Sequence, residues 1–122
     1  MTQEDKELLL KDLCARLPYN TKVFFSIIEE DEPVELSLSV IRCLESIPLG
    51  QNDIVIKPYL RSMTSMTEEE KEELIKNFWG SHTAKDAFEE LSWYLSKHLD
   101  VNGLIPKGLA IAVTEENNPY KD

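Results

Sequence analysis

Three segments in the first half of the chain carry the pattern of β-strands, and they limit the fold more than any other feature. Each is rich in β-branched, aliphatic or aromatic residues: KVFFSII at 22–28, VELSLSV at 34–40 and IVIKPYL at 54–60. The acidic segment EEDEP joins the first two and predicts a hairpin, whose second arm continues or bends through IRCLESI. The segment PLGQND at 48–53 predicts the next turn. Pro58 has no backbone N–H, so we expect the third strand to end at an edge of the sheet or to leave it there.

Segments with helical periodicity lie before and after these strands. The first begins at the capping pair Thr2 and Asp5, ends at Pro18 and carries an apolar stripe of Leu9, Leu10, Leu13, Cys14 and Leu17. Thr67 and Glu70 have the spacing of a capping box, so the glutamates that follow Thr67 indicate mainly a helix start. We expect that helix to stop at Gly80. A further helix from about Thr83 shares one apolar face among Ala84, Ala87, Phe88, Leu91, Tyr94, Leu95 and His98.

These patterns predict an α+β domain: an N-terminal helix, a small antiparallel sheet of three to four strands, two further helices and a short C-terminal strand within 108–113. A chain of 122 residues suits a single domain, which at this size buries about two-thirds of its unfolded surface. We expect that domain to span residues 1–113. Residues 114–122 then form a polar C-terminal tail that is frayed.

The charge of the chain limits its partners. The formal net charge is −10, so direct binding of nucleic acid or of an anionic membrane works against electrostatic repulsion. The N-terminus lacks the features of a secretory signal, and no apolar run is long enough to span a membrane. Cys14 and Cys43 have no metal-binding or redox spacing and are expected to be buried and reduced. The sequence therefore indicates a cytoplasmic protein without a metal or other cofactor.

Four residues are candidates for contact with a protein partner: Tyr59, Arg61, Met63 and Trp93. Tyr59 and Arg61, with Lys57, are able to hold an acidic group, although they equally well finish a strand and balance the glutamates. Met63 and Met66 either form an adaptable contact surface or seal the loop onto the core. Trp93 falls on the charged side of its helix, so it is either an exposed anchor or is covered by the C-terminal segment.

Three residues are candidates for acid–base or metal chemistry: His82, His98 and Asp100. His98 also suits a hydrogen-bonded core position, and Asp100 suits a turn after the helix. A metal site needs further ligands at suitable spacing, and the sequence contains no phosphate-binding loop, nucleophile elbow or dinucleotide turn. An enzyme is therefore the minority interpretation.

Three longer stretches carry a resemblance to a known family. They are LLLKDLCARLPYNTKV at 8–23, IKPYLRSMTSMTEEEKEE at 56–73 and HLDVNGLIPKGLAIAV at 98–113, the last preceded by Trp93. Together they resemble a family of short proteins of unknown function from gut anaerobic bacteria, often encoded among mobile or phage-like genes. The family has Gly where this chain has Asn20 and Pro where it has Ser62, and residues 24–55 match poorly. The resemblance implies no activity, and its setting suggests a small accessory or regulatory protein.

Two hypotheses follow. The first is a non-enzymatic interaction module that binds a protein through the 57–66 loop and the Trp93 face. The second is a small enzyme or ligand-binding domain that uses His98, Asp100 and Arg61 in one pocket. A third idea, an acidic decoy of nucleic acid, is disfavoured by the interspersed lysines.

Overall fold

The computed structural model describes residues 2–26, 32–48, 54–78 and 84–120, and this part of the chain forms an α+β fold. Its helices are α1 (Gln3–Arg16), α2 (Leu38–Ser46), α3 (Glu68–Phe78) and α4 (Ala84–Ser96). Its strands are β1 (Lys22–Phe25), β2 (Val34–Glu35), β3 (Ile56–Leu60) and β4 (Ile111–Ala112). Single turns of 3-10 helix lie at Leu17–Tyr19 and Met63–Ser65. The predicted fold class is confirmed.

The sheet is mixed rather than antiparallel as predicted. Its strand order is β2-β1-β3-β4; β1 is antiparallel to both of its neighbours, whereas β4 is parallel to β3. The expected C-terminal strand therefore joins the sheet, as its one parallel member among the described strands. A parallel pair needs a long crossover connection, and the chain between β3 and β4, which contains α3 and α4, supplies it.

The predicted second arm of the hairpin is mostly a helix. Strand pairing ends after Val34 and Glu35, and the hydroxyl of Ser37 caps α2 by accepting a hydrogen bond from the N–H of Val40. The alternation within 34–40 is typical of a strand, but the apolar residues that follow it have the spacing of a helix. Val40, Ile41 and Leu44 are buried on one side of α2 and join the core. The predicted turns at 29–33 and 48–53 and the stop at Gly80 lie largely or wholly outside the described residues.

The prediction for Pro58 is also wrong, because β3 lies between β1 and β4. A hydrogen bond from Ser26 N–H to the Val55 carbonyl makes Phe25 and Ile56 a non-hydrogen-bonded pair. Val23 and Pro58, two residues along, form the same kind of pair. The nitrogen of Pro58 therefore faces away from β1, and β4 begins to pair only at Tyr59. An interior strand accommodates the proline at this one position without losing a ladder hydrogen bond.

Helix α1 begins as predicted, because the Thr2 side chain accepts a hydrogen bond from Asp5 N–H. Its buried residues are Leu9, Asp12, Leu13 and Arg16, so the buried face includes an acid and a base. Cys14 is exposed and Cys43 is half-buried, which corrects the expectation that both are buried. The leucines of α1 pack with residues of α2, β1, β3 and the 104–110 segment in one core.

The C-terminal tail is docked over its described part and is not frayed. The Tyr120 hydroxyl accepts a hydrogen bond from Lys22 N–H at 2.9 Å and donates one to the Tyr59 carbonyl at 2.7 Å. It thus bridges β1 and β3 next to the last paired residues, Val23 and Pro58. The tail therefore joins β1 to β3 at this end of the sheet through the Tyr120 side chain.

Candidate functional site

Helix α4 carries the largest exposed aromatic side chain in the described part of the protein. Phe88 is 71% exposed and Leu91 is 43% exposed, whereas Leu95 on the same helix is 5% exposed. Phe88 and Leu95 are seven residues apart, almost two helical turns, so they lie on one stripe. The difference in exposure therefore follows position along the helix. Leu95, near the C-terminal end of α4, packs on the body, whereas Phe88 and Leu91 are exposed.

A shallow groove of about 320 Å³ lies beside the exposed end of α4. Its lining comes from α4, the 3-10 turn after β3 and the turn after α4: Met63, Ala87, Glu90, Leu91, Tyr94 and Val101. The Tyr94 hydroxyl donates a hydrogen bond to the Glu90 carboxylate at 2.9 Å, which fixes the polar edge of the groove. Burial and the Glu90 charge raise the pKa of Tyr94, so its hydroxyl stays protonated. We call Met63, Phe88 and Leu91 the α4 surface.

Of the four predicted contact residues, Met63 lines the groove and Tyr59 is withdrawn into the core. Tyr59 is only 5% exposed, so its ring offers no surface to a partner. Burial follows from its position in β3, which has strands on both sides.

Trp93 is half-buried and does not line the groove, because it lies on the opposite side of α4 from Leu91. The Tyr94 ring meets it edge-on with centroids 5.6 Å apart, and the Lys97 ammonium lies 5.7 Å from its ring centroid. Its indole Nε1 is buried and has no hydrogen-bond partner among the described residues. Trp93 is thus neither the fully exposed anchor nor the fully covered residue that the sequence left open.

Arg61 is held by several groups at once. Its guanidinium donates to both carboxylate oxygens of Glu70, at 2.6 and 2.9 Å, and to the carbonyls of Ser65 and Lys97. Glu70 in turn accepts from Thr67 N–H, and the Thr67 hydroxyl accepts from Glu70 N–H, which confirms the predicted capping box. The hydrogen bond from Arg61 is the main reason why the pKa of Glu70 falls to about 2. Arg61 therefore joins the end of β3 to the start of α3 and the end of α4.

Arg61 and His98 line a common cleft of about 370 Å³, as the second hypothesis requires. The Tyr120 ring stacks on His98 with centroids 3.7 Å apart and planes 9° apart. Burial, with the charges of Arg16 and Arg61, lowers the pKa of His98 to about 4, so the ring is neutral at pH 7. Its Nδ1 is buried, and no described residue forms a hydrogen bond with it. A neutral imidazole with a buried nitrogen is poorly placed to move protons near neutral pH.

Asp100 does not line this cleft. Its two carboxylate oxygens accept the N–H groups of Leu104 at 2.8 Å and Ile105 at 3.0 Å, so it stabilises the turn that follows α4. The structure thus brings Arg61 and His98 together and gives Asp100 a structural role. His82, the other candidate, lies outside the described residues.

A buried polar cluster around Arg16 was missed by sequence reasoning. The guanidinium donates to both Asp12 oxygens, at 2.7 and 3.2 Å, and to the Leu99 carbonyl at 2.7 Å. The Asn102 amide donates to the same carboxylate at 2.8 Å. Both ionic side chains are fully buried, and Arg16 Nη1 has no hydrogen-bond partner in the described part of the chain. The sequence shows an acid and a base four residues apart in Asp12 and Arg16, but exposed helices commonly have the same spacing. Only contact with the distant 99–102 segment makes this pair a buried site.

Comparisons with protein-family models, with curated proteins and with solved structures gave no match to this chain. Within the described ranges, no helix is long and apolar enough to cross a membrane. Among the same residues, no group of three His, Cys, Asp or Glu side chains is placed to hold a metal ion.

Proposed function

We propose that the protein is a non-enzymatic interaction module that binds another protein through the α4 surface. The observation that carries this proposal is the exposure of Phe88 beside a groove lined by Met63 and Leu91. Exposing a phenylalanine and a leucine side by side forgoes part of the roughly 1.5 to 3 kcal/mol that full burial of each side chain contributes, and the larger part for Phe88. Contiguous exposed apolar side chains are typical of binding sites. We therefore place the proposed contact on the Leu91 side of α4, whereas the sequence suggested the Trp93 face of the same helix.

The partner we propose is a basic amphipathic helix. The groove is open and bordered by Leu91 and Met63, which suits apolar side chains repeating every three to four residues. Glu90 lies at its rim, and the neighbouring helix α3 begins with the exposed residues Glu68 and Glu69. With a net charge of −10, the domain attracts a cationic segment and repels an anionic one.

The setting of this interaction is also part of the proposal. The free thiols of Cys14 and Cys43 suit a reducing compartment, which supports a cytoplasmic protein. The resemblance to short proteins of gut anaerobic bacteria and their mobile or phage-like elements supports an accessory or regulatory role. On this view the domain acts by binding and covering a helix of its partner, and it catalyses no reaction.

The test is partner capture from extracts of cells that express the protein, followed by affinity measurement with the purified partner. Leu91→Asp places a charge in the groove and should weaken binding at least about thirtyfold, the size of a hot-spot loss of about 2 kcal/mol. Leu38→Asp is the matched control, because Leu38 is 60% exposed on α2 and does not line the groove. Equal affinity of both variants, with both folded, contradicts the proposal.

A second candidate function is small-ligand binding in the cleft shared by Arg61 and His98. Against it, Glu70 already neutralises Arg61, and the pKa of Arg61 is raised by that hydrogen bond. Catalysis with Asp100 would require the turn at Leu104 and Ile105 to open. A ligand whose binding is lost in His98→Asn but unchanged in Leu91→Asp would favour this candidate.

A further inference from the structure

A second concave site lies where α1, α2 and the start of β3 meet the turn before β4. Its volume is about 370 Å³, within the range of about 300 to 1,000 Å³ that small-molecule sites occupy. Four buried core residues form its apolar floor: Leu9, Leu44, Ile56 and Leu109. The α4 surface takes no part in it, because the linings of the two grooves share no residue.

The site is open because the sheet is incomplete beside it. β4 pairs with β3 only at Tyr59 and Leu60, so no strand of the described residues pairs with Ile56 on the side away from β1. Phe25 and Ile56 form a non-hydrogen-bonded pair, so the N–H and carbonyl of Ile56 point away from β1. They point toward the side on which residues 107–109 lead into β4. The concave site thus has an apolar floor and backbone polar groups at one side.

Two lysines, Lys57 and Lys107, also line this site. Neither ammonium group makes a hydrogen bond or ion pair with any residue in the described part of the chain. The chain has 23 acidic against 13 basic residues, so two lysines beside a single aspartate in the lining of one apolar groove are a local excess of positive charge. Asp5 is the one acidic residue among the lining residues.

We infer that this groove binds a small amphiphilic anion, of the class of medium-chain carboxylates. The carboxylate lies between Lys57 and Lys107, where it gains charge-assisted hydrogen bonds. The hydrocarbon tail lies on the leucines of the floor, where burial of each methylene contributes about 0.8 kcal/mol. The carboxylate thus matches the two lysines, and the hydrocarbon tail matches the apolar floor.

The test uses octanoate as the probe and octanol as its uncharged match, titrated into the purified protein by calorimetry or by chemical-shift mapping. Octanoate should bind with shifts at Leu9, Leu44 and Leu109. The double variant Lys57→Gln, Lys107→Gln should weaken octanoate at least about tenfold while leaving the weaker binding of octanol unchanged. Lys76→Gln, an exposed lysine on α3 away from the site, is the control and should leave octanoate affinity unchanged.

Three results overturn the inference. The first is no binding of octanoate to the wild-type protein. The second is equal affinity for octanoate and octanol, which removes the role of the lysines. The third is an unchanged octanoate affinity in the folded double variant. Because none of these measurements involves a protein partner, they leave the proposed interaction at the α4 surface untouched.

Discussion

Tyr120, near the C-terminus, stacks on His98, and its hydroxyl joins Lys22 to Tyr59 across the end of the sheet. The ring therefore covers the turn after α4, while its oxygen bridges two strands. Burial raises the pKa of Tyr120 to about 12, so the hydroxyl remains a donor over the whole accessible pH range. The tail is thus part of the folded domain.

We expect Tyr120→Phe to lower the free energy of unfolding by about 1 to 3 kcal/mol, because it removes the hydroxyl that accepts from the Lys22 N–H and donates to the Tyr59 carbonyl. Urea denaturation measures the loss. Tyr19→Phe is the control, since Tyr19 is partly buried and its hydroxyl has no hydrogen bond to the described residues. If both variants lose equally little, the hydroxyl bridge is not stabilising.

His98 should make the protein less stable in mild acid. Unfolded His98 binds a proton below about its ordinary pKa of 6.5, whereas the folded ring, buried and facing Arg16, Arg61 and the Tyr120 ring, binds one only near its pKa of about 4. The unfolded state therefore binds more protons between these values, and the free energy of unfolding falls as pH is lowered from 6.5 to 4. His98→Asn, which keeps a residue that tolerates the φ of 61° at this position, should flatten that part of the profile.

Glu70 provides an internal comparison, because its titration affects stability over a lower range of pH. Its pKa of about 2 in the folded state, against 4.5 when unfolded, stabilises the protein above pH 4.5, and this stabilisation is lost as pH falls toward 2. Glu70→Gln should therefore change the profile below pH 4.5 and His98→Asn above it. An unaltered slope between pH 6.5 and 4 in His98→Asn would contradict the low pKa of His98.

The buried pair of Asp12 and Arg16 should respond very differently to single and double changes. Asp12→Ala leaves an unpaired guanidinium in the core and is expected to cost about 3 to 5 kcal/mol. The double variant Asp12→Leu, Arg16→Met removes both charges and should recover most of that loss. Thermal and urea unfolding measure both variants, with exposed Lys11→Ala as a control expected to stay within about 0.5 kcal/mol. A double variant as unstable as the single one would refute this account of the cluster.

Trp93 should tolerate a smaller aromatic better than truncation. Trp93→Phe removes a buried indole N–H that has no partner, so part of the lost packing is offset by the removal of an unsatisfied donor. Trp93→Ala loses the edge contact with Tyr94 and should lower the melting temperature clearly more. Neither change should weaken partner binding as much as Leu91→Asp. The reverse ranking would return the interface to the Trp93 face.

Local signals in the sequence predicted the elements whose causes are local. Thr67 and Glu70 satisfy each other's backbone groups within one helical turn, so their spacing alone was sufficient. Ser37 caps α2 in the same way, but the alternation before it hid the helical period after it. Pro58 was placed at an edge because its tolerance depends on a register fixed by a different strand.

The candidate site was less predictable because its features depend on contacts far apart in the sequence. Tyr59 looked available until the sheet order placed strands on both of its sides. Phe88 and Leu95 have the same periodicity, and only the packing of α4 makes one exposed and the other buried. Arg16 and Tyr120 meet residues 83 and 61 positions away, at Leu99 and Tyr59, and no local pattern encodes such contacts.

Amide hydrogen exchange of the complex tests the central claim most directly, because it locates the interface without mutation. Binding of the captured partner should slow exchange at residues 87–91 of α4 and at Met63–Ser65, and leave the cleft residues 96–98 and 118–120 unchanged. Protection confined to that cleft, with residues 87–91 exchanging as in the free protein, would contradict the assignment of the interface to the α4 surface.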